Sequence, residues 1–160
     1  MPVITGPHNN SDIFLYLSII DADTIDVSDT TQQFGQIASP PLFKALIDTG
    51  AQKTMISANV IRSLNLTPRG KILVSGVGPM AHYHNGYLFH VAFIVPIMPS
   101  GQIVAAGVPP HIQVMVNIHK DVIYGAEIPS TGGLFDVLLG MDVLSSGLLV
   151  VQSGQFSFSY

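Results

Sequence analysis

Cysteine is absent from the 160-residue chain. That excludes disulfides, thiolate metal centres and cysteine nucleophiles, and it leaves the redox compartment open. Charge is scarce as well: Asp, Glu, Lys and Arg make up 10% of the residues, against roughly 25% in an ordinary soluble domain. Lys and Arg number only six, form no run, and sit in a chain of formal net charge −4. The electrostatic footprint of a nucleic-acid-binding protein is therefore missing. No apolar stretch is long enough to span a bilayer, because the greasiest one, Val91–Met98, is short and interrupted by Pro96. The segment Met1–His8 has neither the basic region nor the apolar core of a secretory signal. The expectation is a soluble, cytoplasmic protein without membrane contact, folded as one domain over residues 1–160, with residues 1–12 as a flexible N-terminal segment.

What the chain has is hydrophobic residues, 48% of the total. Many of them fall in short aromatic and β-branched runs set apart by Gly, Pro, Asp and Ser, the signature of a mostly β protein. With so few charges, part of the apolar surface is expected to be buried against a partner subunit. Strands are predicted over Ile13–Ile20, Leu42–Ile47, Lys71–Ser75, Tyr87–Val95, Ile112–Ile118, Phe135–Leu139, Leu148–Val151 and Phe156–Tyr160. In Tyr87–Val95 both faces are apolar, which predicts cover on both sides. In Ile112–Ile118 strict alternation predicts that Ile112, Val114, Val116 and Ile118 face inward. A short helix is predicted to start at Ser57 as N-cap, to end near Leu66-Thr67-Pro68, and to be followed by a second helical turn at Met141–Ser146. Asp21–Ser39, Pro96–Pro110 and Tyr124–Gly133 read as loops.

Chemistry is concentrated in Ala45-Leu46-Ile47-Asp48-Thr49-Gly50-Ala51. An apolar strand delivers one carboxylate, one hydroxyl and one glycine, and then stops. Glycine at position 50 permits close backbone approach. Further on stand Gln52-Lys53-Thr54-Met55-Ile56-Ser57, Gly76-Val77-Gly78, and Asp136-Val137-Leu138-Leu139-Gly140-Met141-Asp142-Val143-Leu144.

In that order the four pieces resemble the retropepsin-like aspartic proteases, a family of retroviral, retrotransposon, ubiquitin-shuttle and bacterial enzymes. The resemblance covers most of the chain from Ile13 onward. It implies a mostly β, closed retropepsin-like acid-protease barrel with one or two short helices, formed as a single lobe that dimerises about a two-fold axis. Asp48 is implied as the catalytic residue. Thr49, Gly50 and Ala51 are implied as its supporting loop, with the Thr49 hydroxyl reaching across the axis to the partner loop. Gly76, Val77 and Gly78 are implied as a flap over the substrate, and Leu138, Leu139 and Gly140 as the segment packed on the catalytic loop. The chemistry needs two carboxylates and the chain holds one Asp-Thr-Gly, so the second is expected from Asp48 of a second copy. The implied activity is aspartic endopeptidase hydrolysis of an extended peptide or protein substrate, with no cofactor and no metal. The alternative is a non-catalytic, dimerising peptide-binding module of the same fold.

This chain departs from the family in three respects. Gln52 and Met141 stand where related viral enzymes carry an acidic residue and an Arg able to pair, Pro79 follows the flap glycines, and the loops over 21–39 and 96–110 are longer than in minimal viral enzymes. Asp142 is expected to be structural, a carboxylate near a helix N-terminus, and Asp23 and Asp29 to lie in surface turns. His82 and His84 are expected on the flap's return strand rather than on a metal. The Phe156, Phe158 and Tyr160 stripe is expected at an intersubunit sheet, by analogy with the family.

Overall fold

A β-strand with an unpaired edge invites foreign strands, and closure removes that liability. In a computed structural model that describes residues 3–8, 12–25, 41–75, 81–97 and 113–160, most strands close in this way. In chain order the elements are β1 (Val3–Pro7), β2 (Phe14–Asp21), β3 (Phe43–Ile47), β4 (Met55–Ser57), α1 (Ala58–Leu64), β5 (Gly70–Ser75), β6 (Ala81–Ile97), β7 (Gln113–Ile118), β8 (Ile123–Ile128), β9 (Val137–Leu139), α2 (Met141–Leu144), β10 (Leu148–Gln152) and β11 (Gln155–Ser159). The order β2-β3-β9-β4-β8-β6 returns to β2 through a β2–β6 pairing, making a closed six-stranded barrel. Strands β5 and β7 extend it along β6, and β1-β11-β10 form a separate three-stranded sheet. The fold is mostly β, with two short helices among the described residues.

The barrel is filled by the apolar runs seen in the sequence. Leu17, Ile19, Phe89, Val91, Phe93 and Val137 are all essentially inaccessible. Within β6, Tyr87, Phe89, His90, Val91, Ala92 and Phe93 are buried and Leu88 is half-buried, as expected for a strand covered on both faces. That strand begins earlier than its apolar run, at Ala81, because the polar stretch from His82 to Asn85 pairs with β5.

Ser57 caps α1 as predicted, its hydroxyl accepting the Val60 N–H. The helix stops at Asn65 in the left-handed region (φ 52°), before Pro68 is reached. Asn tolerates that conformation and closes a helix with it. The hairpin β10–β11 turns on Ser153 and Gly154, both at positive φ, the geometry that matches strand twist in a two-residue turn.

Three expectations are corrected. Residues 123–128, most of them assigned to a loop, form β8 between β4 and β6. The glycine that suggested a loop serves close approach: a Cβ on Gly125 would lie 2.6 Å from the Phe89 ring and 2.7 Å from the Thr54 carbonyl oxygen. Val3–Pro7 forms a strand paired with β11. Val116 and Ile118 are only half-buried, because β7 pairs with β6 alone; the side chains of Ile112 and Val114 lie outside the described residues. Phe156 and Phe158 are buried within a single chain, with the Phe158 ring 5.7 Å from Phe93 and 5.6 Å from Tyr160. Their stripe is core, since it faces the barrel, and the opposite face of β11 carries Ser157 and Ser159.

Candidate active site

Strand β3 alternates buried Phe43, Ala45 and Ile47 with half-buried Lys44 and Leu46. It runs parallel to β9, with Ile47 opposite Leu139. The next residue is Asp48, whose N–H donates to the Leu139 carbonyl at 3.1 Å. The ladder thus carries through to the carboxylate-bearing residue and fixes it at the strand tip. The chain turns at once: Gly50 N–H donates to Asp48 Oδ1 at 2.8 Å and Ala51 N–H to the Asp48 carbonyl at 3.2 Å. A Cβ at position 50 would sit 3.2 Å from Asp48 Oδ1, so glycine leaves the carboxylate unobstructed. Thr49 and Gly50 are exposed, and Asp48 is half-buried.

Behind this turn the segment from Leu139 to Asp142 acts as a clamp. Met141 N–H donates to the Ala51 carbonyl at 2.8 Å and Asp142 N–H to the Gln52 carbonyl at 3.3 Å. The Asp142 carboxylate accepts the Thr54 N–H at 2.9 and 3.0 Å and the Thr54 hydroxyl at 2.7 Å. The same hydroxyl accepts the Gly140 N–H at 3.1 Å. A side chain at 140 has no room, because its Cβ would lie 2.5 Å from the Lys53 carbonyl carbon and 2.9 Å from the Thr54 nitrogen. Leu139 and Gly140 therefore lie against the Asp48 loop, and the Asp142 carboxylate is bonded to the backbone and hydroxyl of Thr54.

Thr54, fully buried, is the residue sequence reasoning missed. It stands six positions beyond Asp48 without a motif of its own, and its partners come from the far end of the chain. Asp136 makes a second tie, its carboxylate accepting the Lys44 N–H at 3.3 Å and the Asn59 side-chain amide at 3.0 Å.

Asp48 opens onto a groove of about 690 Å³ between the turn and β5, bordered by Gly50 to Lys53, Met55, Ile72 to Ser75 and Leu138. Among these lining residues Asp48 is the single carboxylate. Gly76, Val77 and Gly78 lie outside the described residues; the strands to either side pair, with Ser75 opposite Ala81. His82 and His84 stand on β6 opposite Val74 and Ile72, and no group of three or more His, Asp or Glu among the described residues is placed to hold a metal. His119 is buried close to Asp142. Burial holds its pKa below the ordinary value, against the opposing pull of the Asp121 carboxylate and the Asp142 backbone and carboxylate. Among the described residues no helix is long and apolar enough to cross a membrane.

A glycine-bearing carboxylate loop at the tip of a barrel strand, clamped by an apolar-apolar-Gly segment, is the arrangement expected of an aspartic peptidase site. The model of the aspartyl protease family matches residues 35–143, about two thirds of the chain and a span that includes Asp48, Thr54, Gly140 and Asp142. The chain belongs to that family, and the membership supports a protease-type function. Neither a search of curated proteins nor one of solved structures returned a match.

Proposed function

We propose that the protein is a retropepsin-like aspartic endopeptidase whose active site is completed by a second copy of the chain. The observation that carries this is the half-site: one rigidly placed carboxylate, Asp48, is the only one among the described residues lining its groove. Two carboxylates brought together do not both ionise readily, so the pair shares one proton in the reaction. The ionised member takes a proton from a water held between the two. The water oxygen attacks the scissile carbonyl carbon while the protonated member donates to the carbonyl oxygen, giving a neutral tetrahedral gem-diol. A proton then passes to the amide nitrogen, the C–N bond breaks, and the dyad regains its single proton. The products are a carboxylic acid and an amine.

The substrate is an extended peptide laid along β5, held by backbone hydrogen bonds and alternate side-chain pockets. The exposed Thr49 reaches the partner's loop across the two-fold axis. The outer face of β1-β11-β10 supports self-association. Cross-strand partners share a face, and this one carries Val3, Leu148 and Val150, all 45% exposed or more, among Thr5, Ser157 and Ser159 without a charge. Such a face suits an isologous contact and stands in for the Gln52 and Met141 positions, where no ion pair is possible.

Digestion of a mixed synthetic peptide library over a pH series, with wild type and Asp48→Asn in parallel, tests the reading. Cleavage by wild type alone is expected, strongest below neutral pH. Peptide capture without turnover by wild type would instead mark a binding module.

A further inference from the structure

The groove beside Asp48 contains one cation among its described lining residues, Lys53. The Lys53 carbonyl carbon abuts Gly140, the preceding Gln52 carbonyl is bonded by the Asp142 N–H, and the following Thr54 N–H is bonded by the Asp142 carboxylate. The backbone on both sides of Lys53 is thus fixed to the segment that also holds Asp48. Its side chain is exposed, and among the described residues it has no ion-pair partner: Asp23 and Arg69 form the one pair found there. Much of the remaining lining is aliphatic, from Met55, Ile72, Leu73, Val74 and Leu138.

We propose that Lys53 is a specificity-determining residue, selecting peptides that carry a carboxylate side chain at a position flanking the scissile bond, on either side of it, since the two-fold axis supplies a Lys53 from each chain. The inference rests on the proteolytic reading above. The fixed backbone keeps the ammonium within one side-chain length of the same anchor in every complex, so its attraction acts on a short stretch of the substrate rather than along the whole peptide. The only carboxylate among the described lining residues is assigned to the catalytic pair, so a substrate carboxylate meets no competing partner in the groove. The chain as a whole carries net charge −4, so an acidic peptide gains nothing from long-range steering. The preference is local and of the size of a half-solvated ion pair, about two- to fivefold in kcat/KM.

The test uses the full chain and matched synthetic peptides, chosen from library cleavage sites, that differ only by Glu or Gln at each flanking position. The readout is the Glu-to-Gln ratio of kcat/KM within each variant, so that changes in overall activity cancel. For wild type the ratio should rise to about two- to fivefold at one position on each side of the scissile bond and shrink toward unity as salt is raised from about 0.05 to 0.5 M, through screening. Lys53→Met should bring it to unity, Lys53→Arg should keep it, and Lys53→Glu should push it below unity, with the Gln peptide cleaved faster than the Glu peptide. Cleavage of both peptides at equal rates by wild type, or an acidic preference that persists in Lys53→Met, overturns the assignment while leaving the protease intact. Failure of wild type to cleave any peptide overturns the proteolytic reading, and this inference with it.

Discussion

Replacing Thr54 with Val tests whether the clamp behind Asp48 has the energetic weight its geometry suggests. The substitution keeps the shape nearly constant and removes only the hydroxyl. Two interactions go with it: the 2.7 Å bond donated to the Asp142 carboxylate and the 3.1 Å bond accepted from Gly140 N–H. A bond to a charged acceptor contributes about 1.5–3 kcal/mol, and a buried N–H left unpaired costs about 1–3 kcal/mol. Asp142 keeps its two contacts with the Thr54 N–H, so the carboxylate is not stranded, and the added buried methyl returns roughly 1 kcal/mol. The net destabilisation is about 2–4 kcal/mol, which for a chain of this length lowers Tm by about 5–12 °C. Thermal unfolding at one fixed protein concentration measures it, since association would otherwise shift Tm. Thr54→Ser, which keeps the hydroxyl, should cost only about 1 kcal/mol for the lost methylene-sized volume. A Thr54→Val protein that melts within about 1 °C of wild type, or no differently from Thr54→Ser, would refute the clamp.

Three further outcomes are expected. Gly140→Ala should destabilise by about 2–4 kcal/mol in urea titration, because its Cβ meets backbone atoms of Lys53 and Thr54 that cannot rotate away. Phe158→Ala should cost about 3–5 kcal/mol even at dilutions where no dimer forms, because Phe158 packs on Phe93 within one chain; an effect confined to dimer affinity would return the aromatic stripe to the interface. The His119 pKa is lowered in the folded chain, so the unfolded chain binds the proton more readily. Its contribution is complete above the unfolded value of about 6.5 and is lost as pH falls below it, by at most about 1.4 kcal/mol per pH unit. Urea titrations between about pH 5 and 7.5 should show that slope in wild type and a flatter one in His119→Gln.

The candidate site was legible from sequence where its residues are consecutive. Asp48 to Ala51 and Leu138 to Gly140 declare themselves because an apolar strand must end in a turn, and glycine marks each close crossing. Thr54 was not legible: its partners, Gly140 and Asp142, lie 86 and 88 positions away, and only folding brings them together. Strand β8 was hidden for a related reason. Gly125 is a turn signal in sequence, yet between β4 and β6 it is the residue small enough for Phe89 to pack against. The aromatic stripe on β11 shows the limit of analogy: alternation identified a buried face, and only the register of β1, β11 and β10 shows that the barrel of the same chain buries it.

The central claim is that one active site takes an Asp48 from each of two chains, and subunit mixing tests it most directly. Wild-type protein is re-equilibrated with an equal amount of Asp48→Asn, and peptide cleavage is compared with that of the same quantity of wild type alone. Random reassociation places half of the wild-type chains in mixed dimers with one carboxylate, so activity should fall to about half, and lower as the mutant is added in excess. Activity unaffected by the mutant at any ratio would mean that each chain works alone, and would contradict the shared site.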